Sequence, residues 1–238
     1  MEKIKKFLKD ETQGWEKWEV FWLVFANLVI LGVSLYMGDT VIGIIASLTG
    51  TSCVILCGKG KISTYLFGTI NVLLYAIVAF QAKYYGDVML NLLYYFPTNI
   101  LGWFVWKNHM DDNNEVDKRR MTAKQNILVI TASIAGILGY AYVLKLLNGN
   151  LPIVDSMSTV LSVVAQILMI KRFTEQWLIW ILVDVVSVIM WFAAFFNGGE
   201  SVAVFLMWVV YLINAVIMFV KWYKDSKNTV QITVKERQ

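Results

Sequence analysis

The chain has almost nothing with which to hold a metal or run side-chain redox chemistry. Its 238 residues include two cysteines and one histidine. His109 falls in a charged stretch, and Cys53 and Cys57 lie four apart inside an apolar run. A closed four-ligand site cannot be built from these, and the cysteines read as small apolar helix residues. Proline is limited to Pro97 and Pro152, so long helices run with few breaks. Charge is also scarce, at 16% of residues against about 25% in a soluble domain. No glycine-rich phosphate loop ending in Gly-Lys-Ser or Gly-Lys-Thr occurs, which argues against ATP hydrolysis. No cofactor is expected. No cleavable signal pattern follows the charged start, Glu2 to Lys17.

What is present is apolar: 58% of residues are hydrophobic. Several runs approach or exceed the roughly 18 residues that cross hydrocarbon as a helix. The sequence predicts an all-α integral membrane protein with eight transmembrane helices, at about 20–37, 40–58, 64–82, 87–106, 125–147, 155–170, 174–196 and 201–222. Residues 1–19 are charged and amphipathic, with Phe7, Leu8, Trp15 and Trp18 among lysines. They are expected at the membrane surface. A charged loop covers 107–124, and a polar tail covers 223–238. Pro97 is expected to kink the fourth span.

The formal charge of +4 invites a nucleic-acid reading, which its distribution removes. With the N-terminus inside, eight spans place 19 of the 21 Lys and Arg residues on the inner side, leaving only Lys83 and Lys145 outside. Seven or nine spans scatter them over both sides. The positive charge is therefore a topology signal, with both termini on the cytoplasmic side.

One helix carries the sharpest chemistry. In EQWLIWILVDVVSVIMW, residues 175–191, the side chains of Trp177, Trp180, Asp184, Ser187 and Trp191 follow at steps of three, four, three and four. They share one helical face. Asp184 sits about 15 Å into the span, where a carboxylate costs about 3 kcal/mol and is a functional candidate by default. The alternative is a protonated Asp bonded to a neighbouring helix. Trp at span ends forms interfacial belts, which accounts for Trp18, Trp106 and Trp222. Trp180 lies further inward. Asn91, Tyr95, Asn99, Gly102 and Trp106 make a second stripe, and Asp155, Ser158, Ser162, Gln166 and Met169 a third. Asn71, Tyr75, Tyr211 and Asn214 add further polar groups within spans. Amides and phenols can bind a carboxamide or sugar hydroxyls, or simply bond helix to helix.

Spans two to four and six to eight share a pattern: a small or polar helix, a basic turn, an aromatic-led helix, then a helix ending in Trp. Tyr65 and Asn71 in KISTYLFGTINVLLY align with Trp177 and Asp184 in RFTEQWLIWILVDVV with a one-residue slip, and Tyr95 and Trp106 match Tyr211 and Trp222. The fifth span then joins two parallel repeats, a transporter plan with a site near the midplane.

FGTINVLLY, NILGWFVW and the series SVVAQILM…QWLIWILVDVVSV resemble the PnuC family of nicotinamide riboside transporters over roughly residues 45–110 and 155–222. The resemblance implies a SWEET-like 3+1+3 core plus an N-terminal helix, commonly as a homotrimer. It implies facilitated diffusion of nicotinamide riboside, trapped inside by phosphorylation. Related branches carry thiamine, riboflavin or deoxynucleosides, and Asp184 suits the cationic ring of thiamine as well. A cationic flat ring asks for aromatic faces, worth about 0.5–2 kcal/mol each, and Trp177 and Trp180 offer them. A membrane enzyme would want clustered His, Asp or Glu. A channel would want a wide polar lining. The sequence has neither.

Overall fold

The computed structural model describes residues 2–146, 152–196 and 202–235. Ten α-helices follow one another among them: α1 Glu2–Thr12, α2 Lys17–Met37, α3 Val41–Lys59, α4 Thr64–Gln81, α5 Tyr85–Met89, α6 Phe96–Lys107, α7 Ala123–Leu146, α8 Pro152–Ile170, α9 Gln176–Phe196 and α10 Val202–Lys235. A π-helical segment, Leu90–Tyr95, links α5 to α6. The described residues form no strand, only two isolated bridges, Met110 with Val116 and Arg119 with Phe173. An all-helical chain is what hydrocarbon demands, because each helix satisfies its own backbone polar groups.

Seven of these segments are long and apolar enough to cross a membrane: α2, α3, α4, Tyr85–Lys107, α7, α9 and Val202–Ser226 of α10. The expected sixth span corresponds to α8, Pro152–Ile170, whose 19 residues cover about 28 Å at 1.5 Å per residue.

The fourth span carries a π-helical turn next to its proline. Pro97 stands in the first turn of α6 and the π-helix lies just before it. Pro97 has no N–H to return to the carbonyl four residues back, and a wider turn absorbs that missing bond.

The chain divides into two compact units, Met1–Asp117 with Ser187–Asn214 and Lys118–Val186 with Ala215–Gln238. In the first unit, α2 starts with a reciprocal capping box between Glu16 and Glu19. It ends on Gly38, at φ 73°. α3 is capped by Thr40 and ends on Gly60, at φ 84°, a left-handed turn that favours glycine. The two lysines flanking Gly60 are buried. Lys59 Nζ pairs with Glu19 and Glu115, both at 2.8 Å, and donates to the carbonyl of Gly14. Lys61 Nζ donates to the carbonyls of Asp10 (3.0 Å), Asn113 (3.0 Å) and Asn114 (3.1 Å). Ser63 Oγ donates to the Glu11 carboxylate, and the Val116 amide donates to the carbonyl of Gly60 (2.9 Å). Burial holds the Lys61 ammonium below its ordinary pKa and the Glu11 carboxyl above its own. One turn thus fastens both the N-terminal segment and the loop before residue 117. The Tyr65 ring meets the Trp106 ring edge-on, at 5.1 Å and 83°.

The second unit has a related turn after α8. Arg172 takes φ 65°. Its amide bonds the Met169 carbonyl and the Phe173 amide bonds that of Leu168, both at 2.9 Å. Arg119 spans this turn, donating from its amide to the Arg172 carbonyl (2.9 Å) and accepting from the Thr174 amide (2.8 Å). Trp177 meets Trp222 edge-on at 5.8 Å and 81°. Lys118 Nζ reaches Asp225 at 2.6 Å.

Removing one partner of a buried pair strands the other, at about 3 kcal/mol or more. Lys59→Met, which strands Glu19 at 1% and Glu115 at 13% exposure, is therefore expected to lower the detergent-solubilised protein's thermal midpoint strongly. Asp225→Asn, which leaves the 8% exposed Lys118 side chain without its 37% exposed carboxylate partner, is expected to lower it less.

Candidate functional site

Of the eleven residues singled out in the sequence, Asn71, Tyr75, Asn91, Tyr95, Asn99, Tyr211 and Asn214 belong to the first unit, and Gln166, Trp177, Trp180 and Asp184 to the second. Each unit is a separate piece of chemistry.

In the first unit, the side chains of Asn71, Met207 and Tyr211 converge on the backbone of α3 at Gly50. A Cβ there would collide with Tyr211 Oη and stand 2.6 Å from Asn71 Nδ2 and 2.7 Å from Met207 Sδ. A side chain at position 50 would shift the ends of all three side chains. Asn71 Nδ2 donates to the Ala46 carbonyl at 2.8 Å. Beside Gly50 on the same helix, Ser47 and Thr51 are fully buried, and their hydroxyls have no hydrogen-bond partner. Buried hydroxyls are normally bonded, so two orphans on adjacent turns need an explanation. None of Gly50, Ser47 and Thr51 stands out in the sequence, where this run reads as small residues for close packing.

Tyr75 has different company. Its hydroxyl donates to the Asp87 carboxylate at 3.0 Å and accepts from Trp191 Nε1 at 3.1 Å. Its ring packs on Trp191 and Trp208. Asp87, at the head of the fourth span, escaped notice because its partner is brought by tertiary structure. Asn91 donates to the Asp87 carbonyl, a local bond at 2.8 Å. Asn99 is buried with its amide against Gly68. Tyr95 is half-buried, its ring against Tyr94. Asn214 is used at both ends: Nδ2 donates to the Val54 carbonyl (3.0 Å) and Oδ1 accepts from Trp22 Nε1 (3.2 Å). That is the helix-to-helix alternative for this residue.

In the second unit, the face of α9 forecast by the three-four spacing is turned inward. Trp177 and Asp184 are buried, Trp180 is half-buried, and Leu178, Leu182 and Val185 face out. Asp184 is only 2% exposed, and no hydrogen bond or ion pair reaches it among the described residues. Trp177 Nε1 is likewise buried without a hydrogen-bond partner. Gln166 is buried on α8. A carboxyl in such a place is either protonated or balanced by a cation. No cation of the protein pairs with it among the described residues, whose buried Lys and Arg residues are Lys59, Lys61 and Arg172, all at the turns. No group of three or more possible metal ligands occurs among the described residues.

Residues 40–224 match the family model described as nicotinamide mononucleotide transporter. The chain belongs to this family of membrane transporters. The match begins at the N-cap of α3, so α1 and α2 lie outside the family core. A relative from Neisseria mucosa, named nicotinamide riboside transporter PnuC, is 40% identical over 220 residues, 90% of this chain and 84% of its own. One of the same name from Haemophilus influenzae is 33% identical over 226 residues, 93% and 97% of the two chains. A solved structure titled as the vitamin B3 transporter PnuC superposes with a TM-score of 0.85 at 39% identity, covering 94% of this chain and 98% of that one. The PnuC relatives are named as transporters rather than enzymes, and this chain is a multi-pass membrane protein of that bacterial family.

The close approach at Gly50 generates a direct test. Gly50→Ala is expected to abolish most substrate binding or uptake, because three groups must move. Gly32→Ala, where a Cβ meets nothing within 4 Å, is expected to leave both unchanged. Equal binding and uptake by the two variants contradicts the assignment of Gly50 to the site.

Proposed function

We propose that this chain takes up nicotinamide riboside by facilitated diffusion, and that phosphorylation inside the cell traps it. The observation that carries this reading is Asp184, buried and unpaired on a helix face with Trp177 and Trp180. A cationic pyridinium ring matches a carboxylate and aromatic faces together. Gln166 suits the carboxamide. Within the first unit, Asn71, Tyr95, Asn99 and Tyr211, with the hydroxyls of Ser47 and Thr51, are groups of the kind that bind sugar hydroxyls, while the Tyr75 hydroxyl is engaged by Asp87 and Trp191. Asn91 and Asn214 spend their amides on backbone carbonyls and serve packing in this reading.

The family description and the relatives' names differ by a phosphate. The donor set favours the riboside. A mononucleotide brings a phosphate group that calls for Arg or Lys, and the buried cations are engaged at the turns. The same chemistry makes phosphorylation an effective trap. The chain has no phosphate loop of its own, so uptake runs downhill and accumulation comes from the later phosphorylation.

The arrangement we propose is eight spans, with α8 as the sixth, and a SWEET-like 3+1+3 core joined by α7. The hydrogen bonds of the two basic turns support the repeat. Gly60 to Cys57 and Lys61 to Leu56 in one turn correspond to Arg172 to Met169 and Phe173 to Leu168 in the other, all displaced by 112 residues. The edge-on pairs Tyr65–Trp106 and Trp177–Trp222 correspond as well. The charge distribution supports both termini inside an inner membrane, and the family resemblance supports a homotrimer.

Proteoliposomes holding the purified protein are expected to equilibrate labelled nicotinamide riboside, unaffected by a proton ionophore. Unlabelled riboside should compete, and the mononucleotide should not. Uptake that follows thiamine, riboflavin or a deoxynucleoside instead, or that collapses with the proton gradient, contradicts the reading.

A further inference from the structure

A second carboxylate stands among aromatic rings, at the far end of the first unit from the basic turn. Asp87 lies on the short helix α5 and is half-buried. Its carboxylate takes one hydrogen bond, from Tyr75, which in turn accepts from Trp191. Tyr84 and Trp208 complete the group, with ring centroids 5.3 Å from Trp191 and 6.1 Å from Tyr75 respectively. No Lys or Arg pairs with Asp87 among the described residues. An ionised carboxylate can accept about four hydrogen bonds, so most of its capacity is unused. A carboxylate edged by indole and phenol rings is the chemistry that attracts a flat cation.

The backbone is irregular on both sides of Asp87. On one side is Lys83, a non-glycine residue at φ 62°, a conformation that carries strain. On the other is the π-helix Leu90–Tyr95, a device that frequently marks functional sites. Asn91, inside that π-helix, holds the Asp87 carbonyl, so unwinding the π turn shifts the carboxylate's own backbone.

We propose that Asp87 is a specificity-determining capture residue and latch: its carboxylate exchanges the Tyr75 hydroxyl for an incoming cationic solute, and closes by taking that hydroxyl back. This rests on the reading of the solute as a cation. Tyr75 and the solute compete for one carboxylate, so the two side chains have opposite effects. Losing the Asp87 charge weakens capture. Losing the Tyr75 hydroxyl removes the competitor and strengthens it.

The test is initial-rate uptake by cells expressing the full chain, with cationic nicotinamide riboside and its neutral 1,4-dihydro form as the two solutes. Asp87→Asn keeps an acceptor for Tyr75 and removes the charge. It is expected to raise KM for the cation about tenfold, the order set by one lost charge contact at partly solvated surroundings, and to leave the neutral form unchanged. Tyr75→Phe is expected to lower KM for the cation several-fold. If both variants raise KM, or both solutes shift alike, the residues are structural and the latch is wrong. If the unaltered protein carries neither solute, the substrate reading fails and the capture role falls with it. Normal cation uptake by the unaltered protein with an unchanged KM in Asp87→Asn overturns the latch alone.

Discussion

A buried carboxyl without a partner among the described residues is the constraint on which the proposed site in the second unit depends. Asp184 sits inside α9 at 2% exposure, and no ammonium, guanidinium or hydrogen bond of the described residues answers it. Charged groups in such surroundings are costly unless paired. The protein's buried cations are spent elsewhere. Lys59 and Lys61 bind two carboxylates and a set of carbonyls at the first turn, and Arg172 is buried in the second. In the proposed reading, a solute that brings its own positive charge supplies the missing partner, which favours a cationic nucleoside over its phosphorylated product.

Periodicity made α9 legible. Steps of three and four put Trp177, Asp184 and Ser187 on a face that the structure buries, while Leu182, Val185 and Ile189 face outward. Span positions were equally readable, because hydrocarbon imposes length and apolarity on each helix. Features set by backbone geometry or by distant partners were not. The π-helix before Pro97 depends on how the chain absorbs a missing donor. The Tyr75–Asp87 bond joins residues twelve apart across a turn. Lys59 and Lys61 count as topology charges in the sequence, yet they are buried and multiply bonded. Asn214 has the composition of a site residue and the bonds of a packing residue. Ser47 and Thr51 have the composition of packing residues and orphaned hydroxyls.

The two basic turns show how different residues reach one geometry. Gly60 takes its positive φ without strain, while Arg172 takes nearly the same conformation with a side chain. In each unit a stretch of the central loop bonds the turn's carbonyl, from Val116 in one and Arg119 in the other. Away from these turns, the first unit carries a further irregular stretch, from Lys83 at positive φ to the π-helix Leu90–Tyr95.

The central claim is that Asp184 is the counter-charge for the solute. Equilibrium binding of nicotinamide riboside to purified protein and to Asp184→Asn, with the neutral 1,4-dihydro form as reference, tests it most directly. The account predicts at least a tenfold loss of affinity for the cation, about 1.4 kcal/mol, and little change for the neutral form in a variant that folds. Equal affinity of both proteins for the cation would contradict it.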